Sequence, residues 1–219
     1  MRVVIAEDEV LLREGLARLL TDSGIQVVAT VGTADDALRE VAKHRPNVLL
    51  ADVRMPPTQT DEGLRLAVLV GERHPEVGVL VLSHFIEPRL TMQLLERRSK
   101  GAGYLLKDRV GQVGTLVEAI YRVAAGGVVV DPTVVSTLVE KQQAAEALGE
   151  LSARERELLG LMAEGLSNSA ISERLVLSDK TVETHIRAVF TKLGLPPARD
   201  DSRRVLAVLK YLRATASYG

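Results

Sequence analysis

Residues 47–56 read Asn47-Val48-Leu49-Leu50-Ala51-Asp52-Val53-Arg54-Met55-Pro56: a short apolar run that ends on a carboxylate and is followed by a proline-marked turn. A near-continuous aliphatic run of this length suits a parallel strand buried on both faces. We read Asn47–Ala51 as a strand and find four more such runs around it, Arg2–Ala6, Gln26–Val31, Val77–Leu82 and Gly103–Leu106. Between them apolar residues recur at helical spacing, as in Leu12, Leu16, Leu19 and Leu20, and again in Val113, Leu116, Val117, Ile120 and Ala124. Five strand–helix units in series predict an α/β doubly wound, five-stranded parallel sheet of order 2-1-3-4-5 over residues 1–125. Sheets of this kind bind ligands beyond the carboxyl ends of their strands.

Chemistry gathers at those ends. Glu7 and Asp8 follow the first strand, Asp52 the third, Ser83 the fourth and Lys107 the fifth. Three carboxylates in one pocket repel, so protons or a cation must hold them. A hard divalent ion such as Mg²⁺ suits an all-oxygen set that leaves room for phosphate oxygens. Lys107 adds a positive charge and Ser83 a hydroxyl donor. This is equipment for phosphoryl transfer, in which positioning and charge neutralisation do most of the work. One carboxylate then serves as the nucleophile. Taken singly, each residue has an ordinary reading as a cap, a strand-packing residue or a solvated lysine; their order along the chain is what singles them out.

The pattern changes after Gly126-Gly127. We expect residues 126–148 to form a linker, helical from Pro132 to Leu148 on a weakly apolar face. Residues 149–219 show no strand pattern, and four helices are predicted there, Ala153–Glu164, Asn168–Leu175, Asp179–Leu193 and Ser202–Thr215. Ser152 and Glu155 have the capping-box spacing, Ser178 is an N-cap candidate, and Gly165 and Gly194 sit where C-terminal glycines belong. Within the third of these helices Val182, Ile186, Val189, Phe190 and Leu193 share one face. The opposite stripe carries Lys180, Glu183, Thr184, Arg187 and Thr191. A short helix, a tight turn and a helix with such a stripe fit a helix-turn-helix. Arg187 suits guanine and Glu183 a cytosine amino group; the rival reading pairs the two with each other at i, i+4 on a solvated face.

Two sets of segments carry a family resemblance. Ile5-Ala6-Glu7-Asp8-Glu9, Leu49 to Pro56, Val81-Leu82-Ser83 and Gly103-Tyr104-Leu105-Leu106-Lys107 resemble the receiver domain of bacterial two-component response regulators. Leu151-Ser152-Ala153-Arg154-Glu155-Arg156-Glu157, Ala163 to Asn168, Ser178 to Ile186 and Lys192-Leu193-Gly194 resemble the LuxR-type DNA-binding domain. Together they make the chain similar to the NarL/FixJ subfamily. The resemblance implies that Asp52 accepts a phosphoryl group from a sensor histidine kinase, and that Glu7, Asp8, Asp52 and the Arg54 backbone carbonyl hold Mg²⁺. It also implies that Ser83 and Lys107 contact the phosphoryl group, and that Tyr104 is the aromatic switch, turning inward when Ser83 is drawn to the phosphate. In the second domain it places Glu183, Thr184 and Arg187 on the bases of double-stranded promoter DNA, and Lys180, Thr181 and Lys192 on its phosphates. A homodimer is implied when the protein is phosphorylated or on DNA, with the last helix contributing.

Three places depart from the family form. Pro56-Pro57-Thr58-Gln59-Thr60-Asp61-Glu62-Gly63 is longer than the compact turn usual after the acceptor strand. His84 is bulky where a small residue is common, and is expected to slow the access of water to a phosphoaspartate. Pro196 to Asp201 lengthens the turn before the last helix, on which Val205, Leu206, Val208, Leu209 and Leu212 suggest core packing.

Composition sets the outer bounds. A chain of 219 residues with 46% apolar and 26% charged residues is an ordinary soluble protein of one or two domains. No cysteine means no disulfide, thiolate metal site or cysteine nucleophile. No targeting segment or membrane span is visible, so a cytoplasmic protein is expected. Net charge is −1, with eleven basic and nine acidic residues in 149–219 against seventeen and twenty before it; a polyanion would favour the C-terminal part. A Mg²⁺-dependent phosphohydrolase with an aspartyl nucleophile is an alternative, but the dehalogenase kind wants an acid where Arg54 stands, so a regulator rather than an enzyme is expected. The other alternative is a DNA binder with an atypical receiver that phosphorylation does not control.

Overall fold

The computed structural model describes residues 1–195 and 202–215, and the run of buried apolar segments becomes its sheet. In chain order the elements are β1 (Arg2–Ala6), α1 (Val10–Asp22), β2 (Gln26–Val31), α2 (Ala34–His44), β3 (Val48–Asp52), α3 (Glu62–Arg73), β4 (Gly78–Ser83), α4 (Pro88–Arg97), β5 (Ala102–Leu106), α5 (Val113–Ala124) and β6 (Val128–Val130). A 3-10 turn, Lys107–Arg109, follows β5. The remaining helices are α6 (Pro132–Gly149), α7 (Ala153–Ala163), α8 (Asn168–Leu175), α9 (Asp179–Lys192) and α10 (Ser202–Thr215).

All pairings in the sheet are parallel, in the order β2-β1-β3-β4-β5-β6. The expected 2-1-3-4-5 core is present, with a sixth strand at the β5 edge. That strand lies in the stretch read as linker: Val128, Val129 and Val130 pair with Ala102, Gly103 and Tyr104. Three β-branched residues are too short a run to register as a strand in sequence, yet the β5 edge offers them a ladder to complete. Gly126 makes the turn into it at φ 83°, a left-handed conformation that favours glycine.

Strands β3 and β4 are buried at every position, as central parallel strands must be. Val3, Ile5, Leu50, Leu80 and Leu82 pack with Leu16, Leu20, Leu116 and Ile120 from the flanking helices in one core. The edge strand β2 is only half-buried.

The described chain divides into two compact units, Met1–Val135 and Ser136–Gly219, and the division falls within α6. The second unit has its own core, with Leu158, Leu159, Met162, Ile171, Val182, Ile186 and Val189 fully or nearly buried. Its helices start where local chemistry says they should. Ser152 and Glu155 form both bonds of a capping box, and Ser167 and Ser178 each accept an N–H from the first turn of their helix.

The expected core face of α10 is corrected. Val205, Leu206, Leu209 and Leu212 are exposed, whereas Ala207 is buried and Val208, Tyr211 and Ala214 pack on the core. Two apolar stripes run along this helix at helical spacing, and the one with the small alanines allows the closer approach to α7. The lengthened turn Pro196–Asp201 lies outside the described residues. Among those described, no helix is long and apolar enough to cross a membrane.

Candidate metal centre and nucleic-acid interface

The three carboxylates read from the strand ends converge. Glu7, Asp8 and Asp52 each offer a ligand oxygen, and these lie within 4.8 Å of one another. Adjacent parallel strands β1 and β3 stop in register, so their C-terminal acids emerge side by side. Lys107 comes to the same point from the end of β5. Its Nζ lies 2.8 Å from Glu7 Oε2 and 3.0 Å from Asp52 Oδ2, with Glu7, Asp52 and Lys107 all buried. Burial raises the pKa of both Glu7 and Asp52; Lys107 opposes this in each case, and the Asp52 charge adds to the rise at Glu7. Asp52 also accepts the Arg54 backbone N–H. One ammonium among three carboxylates, paired with two of them, leaves an excess of negative charge with oxygen donors only, which fits a hard divalent cation such as Mg²⁺.

Arg13 and Gly32, not singled out from sequence, shape the rim. Arg13 Nη1 donates to the Glu7 carbonyl at 2.6 Å, fixing the backbone that carries two of the acids. A side chain on Gly32 would meet that guanidinium at 3.2 Å. Neither has a sequence signal: Arg13 acts on a main-chain oxygen, and Gly32 by leaving room for the guanidinium.

Ser83 is buried beside the centre at the end of β4 and donates from Oγ to the Phe85 carbonyl at 2.9 Å. Tyr104 is buried, and its hydroxyl donates to the same carbonyl at 3.0 Å. Burial pushes the Tyr104 pKa up. The described tyrosine is therefore already inward, tied to Ser83 through one shared acceptor. His84 is exposed, its ring tilted against Phe85 with centroids 6.3 Å apart. The Arg54 side chain stacks on the Phe85 ring at 5.5 Å and pairs with Glu87 at 3.2 Å.

The lengthened loop is an ordered scaffold. Glu62 is buried and accepts from the Thr58 N–H at 3.1 Å, the Thr60 N–H at 2.9 Å and the Thr58 hydroxyl. Desolvation raises its pKa, but these hydrogen bonds outweigh it and hold the carboxyl at about 2. Gln59, at φ 58°, sends its side-chain amide 2.7 Å to Asp8 Oδ2. Gly63 closes the loop against β3: a Cβ there would sit 1.8 Å from the Asp52 carbonyl oxygen.

In the second unit Lys180, Glu183, Thr184, Arg187 and Thr191 form an exposed stripe on α9, opposite the buried Val182, Ile186 and Val189. Glu183 and Arg187 pair at 3.4 Å, both largely exposed. The Thr181 hydroxyl shares a hydrogen bond with that of Ser178 at 2.8 Å, and the Thr184 hydroxyl donates back to the Lys180 carbonyl at 2.8 Å. Lys192 is drawn to Glu155 Oε2 at 2.7 Å, tying the end of α9 to the cap of α7. That partner lies 37 positions away and had no signal in the sequence.

Comparison with known proteins places both units. The family model described as response regulator receiver domain matches residues 3–120, and that of bacterial regulatory proteins, luxR family, matches residues 149–201. The probable transcriptional regulatory protein NarL of Mycobacterium tuberculosis (strain H37Rv) is 38% identical over 218 residues, covering 97% of this chain and 94% of the relative. The oxygen regulatory protein NreC of Staphylococcus epidermidis is 34% identical over 206 residues, 89% of this chain and 92% of the relative. Among solved structures, the Salmonella typhimurium RcsB response regulator, studied for its conformational dynamism in DNA interaction, superposes with a TM-score of 0.58 at 26% identity, covering 97% of both chains.

Proposed function

The chain belongs to the response regulators that join a receiver domain to a LuxR-type DNA-binding domain, and from that premise we propose that it is a transcription regulator switched by phosphorylation of Asp52. Residues 1–125 act as the receiver, 126–148 as the linker and 149–219 as the DNA-binding domain. The observation that carries the proposal is the meeting of Glu7, Asp8 and Asp52, with the Lys107 ammonium against Glu7 and Asp52.

A sensor histidine kinase is the phosphoryl donor. An Asp52 carboxylate oxygen attacks the phosphorus of its phosphohistidine; the O–P bond forms, the P–N bond breaks, and the departing imidazole nitrogen takes a proton. Lys107, buried and already against Asp52, stabilises charge on the transferred group where low dielectric makes it count. Glu7, Asp8, Asp52 and the Arg54 carbonyl would hold Mg²⁺, which would supply the positive charge that lets carboxylates and phosphoryl oxygens share the pocket. The acyl phosphate carries about −1.5 to −2 charges where the free carboxylate carried one. Ser83 then exchanges its bond to the Phe85 carbonyl for one to the phosphoryl group, and Tyr104 follows the shift of that carbonyl. No general acid stands at position 54, so the protein is a switch with slow loss of phosphate, further slowed by His84.

In the second domain Glu183, Thr184 and Arg187 read bases of promoter DNA, opening their mutual pair to do so. Lys180, Thr181 and Lys192 contact phosphates. The exposed stripe Val205, Leu206, Leu209 and Leu212 on α10 serves a homodimer on DNA or after phosphorylation. The protein acts in the cytoplasm, where kinase domain and DNA are both accessible.

A gel shift of genomic DNA fragments, with and without a small phosphodonor and Mg²⁺, tests this reading. It predicts tighter, donor-dependent binding in wild type and donor-independent binding in Asp52→Asn. An equal donor response in both proteins would reject Asp52 as the switch.

A further inference from the structure

The loop between β3 and α3 does more than connect them. Its apex, Gln59, adopts φ 58°. A left-handed backbone costs a residue with a Cβ about 1–2 kcal/mol, and glycine or asparagine would fill such a turn more cheaply. A long side chain at this position points to work done by that side chain. Its amide donates to Asp8 Oδ2 at 2.7 Å, a contact between residues 51 apart in the chain. The loop around it is built to hold this pose. Thr58 and Thr60, one on each side, are both bonded to the buried Glu62 carboxylate, and the Gln59 N–H donates to the Met55 carbonyl at 3.0 Å.

Asp8 is the acid of the trio that needs such help. Lys107 orients Glu7 and Asp52 by direct ion pairs, whereas the Asp8 carboxylate is engaged by Gln59. Resting on the metal site proposed above, we propose that Gln59 is a positioning residue for Mg²⁺ binding, holding one Asp8 oxygen so that the carboxylate stays turned to the cation. Ligating carboxylates are themselves commonly hydrogen-bonded, and loss of such an outer partner weakens metal binding by about 10–100-fold. A neutral amide does this without adding to the negative charge of the cluster or competing for the ion.

Titration of the full-length protein with MgCl₂, followed by the backbone and glutamine side-chain amide signals in NMR, is the test. Gln59→Asn keeps a residue that tolerates the left-handed turn but falls one carbon short of Asp8. Gln59→Gly relieves the backbone and removes the amide altogether. Both variants should weaken Mg²⁺ binding by about tenfold or more, while the melting temperature without metal is unchanged for Gln59→Asn and unchanged or raised for Gln59→Gly. In wild type the Gln59 side-chain amide should shift along the same titration. A purely structural role predicts that Gln59→Gly keeps full affinity, and wild-type affinity in both variants overturns the proposal. Asp8→Asn separates the two levels: if wild type binds no Mg²⁺, or Asp8→Asn binds it equally well, the metal site itself falls and the role of Gln59 with it.

Discussion

A methyl group on residue 63 would lie 1.8 Å from the Asp52 carbonyl oxygen and 3.1 Å from Val53 Cα. No rotation relieves that overlap, because both sides are backbone. Gly63→Ala should therefore cost about 3 kcal/mol or more. Gly114, with nothing within 4 Å in helix α5, should instead gain up to about 1 kcal/mol on conversion to Ala; denaturant unfolding of the two variants separates them, and equal effects would contradict the close approach. Glu62 supplies the second residue-scale prediction. Its folded pKa of about 2 lies below the ordinary 4.5, so the unfolded chain binds the extra proton between those values. Its stabilisation is complete above about pH 4.5 and drains away as pH falls toward 2. Glu62→Gln should lower the melting temperature by about 2–4 °C per kcal/mol lost at neutral pH, with the gap narrowing in acid; a gap independent of pH would show that the charge has no part. The acids, Ser83 and Lys107 were legible in sequence because each sits one or two steps past an apolar run. Gln59, Arg13 and Glu62 were not, since their partners are set by the path of a loop or by main-chain oxygens.

At the scale of elements, strand and helix positions followed the sequence to within a residue or so wherever an apolar period or a cap marked them. Val48–Asp52 replaces the expected Asn47–Ala51, and Asn168–Leu175 is reproduced without change. The misses have physical causes. Strand β6 is specified by the free edge of β5 rather than by its own three valines. On α10 two apolar stripes compete, and the period alone does not say which one meets the core. Asp131 shows how an element is fastened without a sequence signal: its carboxylate accepts the Thr133 N–H at 2.9 Å at the start of α6 and pairs with Arg109 at 3.2 Å, two residues past Lys107. The capping box of α7 has a double duty, since Glu155 also holds Lys192. Glu155→Ala should destabilise the second unit by about 1–2 kcal/mol and leave the unfolding of the first unit in place, as read by hydrogen exchange; uniform loss of protection across both units would contradict this. Within α9, Arg187→Ala should cost about 1–3 kcal/mol of DNA affinity and relax sequence preference, whereas Lys180→Ala should weaken binding to all sequences alike and lower the salt slope by about 1. Binding assays at several salt concentrations distinguish these two outcomes, and the same effect from both variants would remove the assigned division of labour.

For the whole molecule, charge and architecture divide the tasks. The N-terminal part carries the acidic excess and a cluster of carboxylates that could hold a metal ion; the C-terminal part carries the slight basic excess and a polar helix stripe. Neither excess is large, so recognition of DNA rests on the placement of a few side chains rather than on bulk attraction. Everything assigned to the second domain as a regulated activity depends on whether Asp52 takes up phosphate. The direct measurement is incubation of the full chain with a radiolabelled small phosphodonor and Mg²⁺, followed by peptide mapping of the label. A base-labile acyl phosphate confined to Asp52 is expected, absent from Asp52→Asn and from wild type stripped of Mg²⁺ by chelation. Label of equal amount on the Asp52→Asn protein would contradict it.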